Sequence, residues 1–314
     1  MVTRAPHTSG FRHEALLYAG EEGFVEGTVP FIHDGLAAGE PVVAMVSSEK
    51  ADLIRDQLGR AADEVRFADM REVGANPAHI IPEWLRFVAE LSAPGRGIRG
   101  IGEPIWPDRS QAELVECQRH EALLNVAFAD GSPLFLLCPY DTEALEPSVI
   151  EEAHRSHPLV VEEGAHRASV AYRGTEEASA PFAEPLAEPP AGAAELAFEG
   201  PNLEPVRNFA AVRAAGAGLG AARRAALVLA VNEMASNSVR HGGGRGVLRV
   251  WREEDAIVAE VRDSGQIEEP LAGRRPPRRV RQGGHGLWLV NQLSDLMQLR
   301  TFAAGSVVRV HFRF

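Results

Sequence analysis

The chain has 314 residues, 45% of them hydrophobic, which is enough for two domains with separate cores. It has no apolar run of roughly 18 residues, and its opening stretch MVTRAPHTSG lacks an apolar signal core, so a membrane span is excluded and a cytoplasmic setting is expected. The net charge of −12 is split unevenly, with 15 Lys+Arg against 33 Asp+Glu in residues 1–196 and 17 Arg against 11 Asp+Glu from residue 197 onward; the acidic half argues against nucleic acid as the main partner, and the basic half suits a nucleotide or an acidic protein surface.

The first half alternates strand and helix. Leu16-Leu17-Tyr18 reads as a strand, Glu22 to Leu36 as a helix, Pro41 to Val46 as a strand, Glu49 to Leu58 as a helix and Val65 to Ala68 as a strand. A helix follows Pro77 and runs to Leu91. A strand lies near Ile98 to Ile101, and a helix covers Gln111 to Phe128. Leu134 to Cys138 is a continuous apolar run, as a strand buried on both faces should be, and Glu143 to His154 reads as a helix. This order predicts an α/β domain with a mostly parallel sheet and helices on both faces. Such sheets place chemistry at strand ends, where His13, Glu103, Trp106, Tyr140, Asp141 and His157 stand; each also has a plain structural reading. The two cysteines, Cys117 and Cys138, have no metal or redox spacing and read as small buried apolar residues of a reduced compartment. The single lysine, Lys50, follows no glycine-rich loop, so a P-loop is absent, and so is the strand lysine with a His-Arg-Asp loop of eukaryotic-type kinases.

Residues 173–195 are rich in Pro, Ala and Glu without an apolar period and read as an extended, charged linker. Beyond it come a strand near Phe198 and a helix through Val206, Phe209 and Val212. The stretch AALVLAVNEMASNSVRHG, Ala225 to Gly242, reads as a helix with Glu233, Asn237, Arg240 and His241 on one face. A carboxamide oxygen can ligate Mg²⁺ and a carboxylate one turn away can orient or deprotonate a hydroxyl, although the same pair also occurs on ordinary exposed helix faces. A strand at Val247 to Trp251 precedes an alternating run that ends at Asp263, ahead of Ser264 and Gly265. A carboxylate there can accept from an exocyclic amine, or the stretch is a common turn. Gly283-Gly284-His285-Gly286-Leu287 opens a helix, as an anion site or a glycine-rich cap would. Between them, LAGRRPPRRVRQ carries Arg274, Arg275, Arg278, Arg279 and Arg281 and reads either as a solvated basic loop or as a lid whose arginines meet phosphate. The last strand alternates through Val308, Val310, Phe312 and Phe314. This half predicts an α/β sandwich with helices on one face of a mixed sheet.

The order Glu-x-x-x-Asn, then Asp-x-Gly, then Gly-x-Gly before a helix resembles the N, G1 and G2 boxes of the GHKL ATPase superfamily. NEMASNSVRHG and GGHGLWLVNQLSD resemble most the anti-sigma-factor serine kinases of bacteria. That resemblance covers residues 196–314. It implies ATP and Mg²⁺ as cofactors, Glu233 as catalytic base, Asn237 as Mg²⁺ ligand, Asp263 as adenine contact and Gly284 and Gly286 at the phosphates. It also places His241, Gly265, His285 and Leu287 in the nucleotide site. Ser238 departs from the family's usual alanine, and Ile267 from a frequent second glycine of the G1 box, which bears on the shape of the adenine pocket.

In the first half FRHEALLYAGEEGF, IGEPIW, CPYDTEAL and HPLV resemble the MEDS sensory domain over residues 11–172, which implies an input role and a small organic ligand. The joint expectation is an anti-sigma regulatory factor that phosphorylates an anti-anti-sigma (STAS-type) protein, binds a sigma factor, and answers to its sensory domain. A homodimer is left open. One alternative is a non-enzymatic ATP-binding partner switch. Another is a sensor histidine kinase with His13-Glu14 as the phosphoacceptor pair, which the distance to Glu233 and the missing two-helix dimerisation unit oppose.

Overall fold

The computed structural model describes residues 10–175, 184–277 and 285–314, and the chain folds as two units, Met1–Ala178 and Ser179–Phe314. In the first, strands β1 (Arg12–Tyr18), β2 (Val42–Val46), β3 (Val65–Asp69), β4 (Ile98–Gly102), β5 (Leu134–Asp141), β6 (Leu159–Glu162) and β7 (Ala165–Ala168) form one sheet in the order β3-β2-β4-β5-β1-β6-β7. Every neighbouring pair is parallel except β6–β7. Residues alternate across the sheet, so Leu16 and Leu137 meet Phe24, Phe31 and Ile54 of helices α1 (Gly20–Ala37) and α2 (Ser48–Leu58) in one core cluster. Their neighbours His13, Ala15, Leu136 and Cys138 point to the opposite face and are also buried. On that side lie α4 (Ile80–Leu91), α5 (Gln111–Ala127) and α6 (Pro147–Ser156), after the single turn α3 (Met70–Val73). The mostly parallel sheet with helices on both faces is therefore present.

Local chemistry sets the helix starts. Ser47 accepts the Lys50 N–H at the head of α2, and Ser110 and Glu113 form a reciprocal capping box on α5. Helix α6 begins at Pro147, four residues after the expected start, because proline suits the first helical turn, where no N–H partner is needed. Strands β6 and β7, four residues each, were not foreseen.

In the second unit β8 (Ala194–Glu199), β9 (Arg245–Arg252), β10 (Ala256–Asp263), β11 (Leu296–Phe302) and β12 (Gly305–Arg313) form a sheet in the order β11-β12-β10-β9-β8. Each of these pairs is antiparallel, so the expected mixed sheet is corrected: alternation tells which face a residue takes, not which way its strand runs. Helices α7 (Glu204–Gly216), α8 (Ala221–His241) and α9 (His285–Leu293) supply Val206, Ala210, Leu227, Val231, Met234 and Val290 to a core shared with Leu248, Ile257, Val261 and Phe312. The other face holds Glu260, fully buried, whose Oε2 accepts from Arg309 Nε at 3.0 Å and Nη2 at 2.6 Å and whose Oε1 accepts from Arg262 Nε at 2.6 Å. Arg309 also donates to the Ala187 carbonyl at 2.6 Å and Arg262 to Glu188 at 3.2 Å, so this part of the Pro/Ala/Glu-rich stretch is strapped across the sheet.

Candidate functional site

Helix α8 buries Leu227, Ala230, Val231, Met234, Ala235 and Ser238, a stripe at helical spacing that seats it on the sheet. The adjacent stripe carries Glu233 and Asn237, half-buried, and ends in exposed Arg240 and His241. Both side chains reach the first turn of α9. A Cβ built on Gly286 would lie 3.1 Å from Asn237 Nδ2, 3.2 Å from Asn237 Oδ1 and 3.2 Å from Glu233 Oε2. The structure thus brings Glu233 and Asn237 together at the N-terminal end of α9, beside half-buried Leu287 and exposed His285. N–H groups at a helix start have no partner within the helix and favour an anion. Gly284 and three of the loop arginines, Arg278, Arg279 and Arg281, lie outside the described residues.

Asp263 ends β10 where two other elements converge. Its Oδ1 accepts the Gly265 N–H at 2.8 Å, and its Oδ2 accepts the Ser238 hydroxyl at 2.6 Å. The serine that departs from the family pattern therefore orients the carboxylate. Gly242, at the end of α8, is needed here, because a Cβ would come within 2.4 Å of Asp263 Cγ. Gly265 is packed against backbone, its Cβ position 2.5 Å from the His241 carbonyl oxygen, and a Cβ on Gly305, the first residue of β12, would collide with the Asp263 carbonyl oxygen. Neither Gly242 nor Gly305 was singled out from sequence; the run of glycines after His241 was the available signal.

The loop after Asp263 is fastened as well. Ser306 donates to the Gly265 carbonyl at 2.8 Å, and the Ile267 N–H donates to Thr301 Oγ1 at 3.2 Å, while the Ile267 side chain packs on the core. The start of the arginine-rich stretch is folded in: Asn291 donates to the Gly273 carbonyl at 2.9 Å, and Arg274 is 2% exposed. Arg274 is therefore a buried residue and not part of a solvent-facing lid, whereas Arg275 is exposed.

In the first unit the residues singled out from sequence fall into two groups. At the carboxyl ends of the strands Glu103 is buried, accepts the Tyr18 hydroxyl at 2.7 Å and pairs with Lys50. Burial raises the Glu103 carboxyl above its ordinary value despite Lys50, and burial together with Glu103 pushes the Tyr18 hydroxyl up. Asp141 accepts the Glu143 N–H at 3.0 Å, and Trp106 lies under the Arg109 guanidinium, 3.6 Å from its carbon to the ring centroid. A broad open groove of about 1770 Å³, lined by Tyr18, Gly23, Gly27 and Phe31 among others, runs beside α1. The second group is His13, His157 and Tyr140, buried on the other side of the sheet. Burial, then the neighbouring His157, lowers His13 to about 4. As a buried strand residue, His13 is unsuited to the phosphoacceptor role considered for it. Glu121 and Cys138 lie beside these histidines and were not expected there. Among the described residues, no helix is long and apolar enough to cross a membrane.

An antiparallel sheet with helices on one face, a Glu/Asn pair facing a glycine at a helix start, and an Asp at a strand end define a nucleotide-binding α/β sandwich of the GHKL-like class. Residues 197–312 match the family described as Histidine kinase-like ATPase domain, and residues 12–158 match MEDS, the MEthanogen/methylotroph, DcmR Sensory domain. The chain is thus a two-domain protein that joins a MEDS sensory domain to a histidine kinase-like ATPase domain, and the second domain implies ATP as its ligand. Comparison with the curated proteins finds no match.

Proposed function

We propose that the chain is a cytoplasmic anti-sigma regulatory factor whose ATPase domain phosphorylates a serine or threonine of an anti-anti-sigma (STAS-type) protein, and that its sensory domain sets this activity. The observation that carries the reading is the convergence of Glu233 and Asn237 on Gly286 at the start of α9. The donor set fits the nucleotide: Gly286 leaves the space that a Cβ would fill, Asn237 offers a hard oxygen, and Asp263 presents an oriented carboxylate.

In this reading Asp263 accepts a hydrogen bond from the adenine amino group, and Gly265 lets the loop pack closely on the His241 backbone beside it. Asn237 would hold Mg²⁺, and the N–H groups at the start of α9, with His285 and Leu287, would meet the phosphates; Gly284 and His241 complete the proposed set. Bound Mg²⁺ supplies neutralisation of charge on the phosphate oxygens. Glu233 takes the proton of the partner's hydroxyl as its oxygen bonds to the γ-phosphorus and the bond from that phosphorus to the bridging oxygen breaks, releasing ADP. Phosphorylation of the partner then changes which protein is held, the sigma factor or the anti-anti-sigma protein. A small organic ligand of the sensory domain has a candidate place in the groove beside α1.

The test is single-turnover transfer from labelled ATP to a purified STAS-type protein at saturating ATP–Mg²⁺. Acid-stable label on serine or threonine supports the kinase. ATP-dependent changes in partner binding without transfer would replace it with a partner switch that uses ATP only to set its shape.

A further inference from the structure

His13, Glu121, Cys138 and His157 come from four separate elements, β1, α5, β5 and the end of α6, and all four are buried. One donor atom from each lies within 4.8 Å of the others. His13 Nε2 is 3.2 Å from Glu121 Oε2 and 3.4 Å from Cys138 Sγ, and His157 Nε2 is 3.4 Å from Glu121 Oε2. In a tetrahedral zinc site with bonds of about 2.0–2.3 Å, neighbouring donor atoms stand about 3.3–3.6 Å apart. These three separations fall close to those edges.

The outer contacts prepare the histidines as ligands. Asn125 Nδ2 donates to the Ser156 carbonyl at 2.8 Å, which turns its Oδ1 toward His13 Nδ1 at 3.1 Å. His157 Nδ1 lies 2.9 Å from the Ala153 carbonyl oxygen. Both Nδ1 atoms therefore face acceptors and carry the ring proton, which leaves both Nε2 lone pairs directed at one carboxylate. Such second contacts fix the tautomer of a metal-binding histidine. Among the described residues neither His157 Nε2 nor Glu121 Oε1 has a hydrogen-bond partner, and both atoms are buried. Lone pairs and a carboxylate facing one another in an apolar interior call for a cation between them. Two imidazolium ions would have to sit with ring centroids 4.0 Å apart, away from water, so protons answer that call poorly.

We propose that these four residues bind a divalent cation of the zinc class in the core of the sensory domain. A divalent ion with one thiolate, one carboxylate and two neutral imidazoles gives a site of zero net charge, the state that a buried location favours. The thiol gives up its proton on coordination, and Glu121 binds as the carboxylate. With four protein ligands the site is closed, so it fastens β1, β5, α5 and α6 to one another and does not activate water.

The test uses the untagged full chain, stripped by a chelator and titrated with Zn²⁺ and with Co²⁺. A single equivalent of Zn²⁺ should bind and raise the thermal midpoint. Co²⁺ should give intense tetrahedral d–d bands and a thiolate-to-cobalt charge-transfer band. Cys138→Ser should lose the charge-transfer band, whereas Cys117→Ser should keep it, since the Cys117 thiol is directed at the Pro104 carbonyl. Asn125→Leu should weaken Zn²⁺ binding by about 10–100-fold through the His13 tautomer. Absence of a thiolate–cobalt band in the folded wild-type chain overturns the proposal whatever the variants do. So does an unchanged band in a folded Cys138→Ser protein.

Discussion

Replacing Asp263 by Asn separates the proposed adenine contact from the proposed phosphate contacts. The substitution is tolerable in structural terms: the new amide oxygen can keep the Gly265 N–H, and the new NH₂ can donate to Ser238 Oγ, which then turns its own proton to the Met234 carbonyl at 3.2 Å. The cost to folding is therefore on the order of 1 kcal/mol, one rearranged hydrogen bond. The nucleotide loses more. An amide nitrogen now stands at the Oδ2 position and has no lone pair for an exocyclic amine, so a hydrogen bond to a charged acceptor worth about 1.5–3 kcal/mol disappears. At about 1.4 kcal/mol per factor of ten, ATP–Mg²⁺ should bind roughly 10–150-fold more weakly. Calorimetry with ATP–Mg²⁺ and with inorganic triphosphate, alongside thermal melts, separates the causes. Triphosphate affinity should stay within about twofold of wild type, since in the proposed binding mode this carboxylate faces adenine and not phosphate. Equal losses for the two ligands in a folded protein would refute the adenine assignment.

Ser238→Ala should show a milder form of the same selectivity: losing the hydroxyl that orients Asp263 should weaken ATP by about 5-fold, a hydrogen bond's net contribution of about 1 kcal/mol, with triphosphate unaffected. Glu233→Ala should retain ATP affinity and lower single-turnover transfer by roughly 10²–10⁴-fold, the usual size of a general-base contribution; wild-type transfer from the folded variant would remove Glu233 from the mechanism. Asn237→Ala should weaken nucleotide binding in Mg²⁺ but leave the weaker metal-free binding unchanged, as read by titration with and without a chelator. In the sensory domain Lys50→Met should destabilise the fold by about 1–3 kcal/mol in denaturant melts, because Glu103 stays buried without its cation; the figure is discounted for the 25% exposure of the lysine side chain.

The elements that carry the proposed nucleotide site were legible in the sequence because most of them are local. Glu233, Asn237 and His241 are spaced by helical turns, and Asp263 and Gly286 lie at the ends of short periodic runs, so pattern alone placed them on a helix, a strand end and a helix start. The buried cluster of the sensory domain was not legible for the opposite reason. Cys138 is 125 positions from His13 and Glu121 is 108, so no spacing motif joins them. They meet through the parallel pairing of β1 with β5, in which Ala15 stands opposite Cys138, and through the packing of α5 on that face. Polar burial within α5, where Glu116, Glu121 and Asn125 are all sequestered, also defeats a reading that assigns charged positions to the solvent side.

The two departures from the ATPase motif both bear on how the end of β10 is held. An alanine at 238 would leave Asp263 held by the Gly265 N–H alone; the serine adds a second donor on the other oxygen and ties the end of β10 to α8. Ile267, standing where a glycine is frequent, does not enter the space around Asp263: its backbone is drawn toward β11 by Thr301, and its side chain joins the core. Thr301 and Ser306 lie opposite one another on β11 and β12, 3.1 Å apart, and each also holds the loop beyond Asp263, the first through Ile267 and the second through Gly265. The proposed adenine edge is thus fixed from both sides, by α8 through Ser238 and by the terminal hairpin through Thr301 and Ser306. The glycines at 242, 265 and 305 are what allow three backbones to approach one carboxylate-bearing strand end so closely. The physical consequence is that the shape of this edge depends on the register of β10 with β12, where Asp263 pairs with Ser306, as much as on the motif residues themselves.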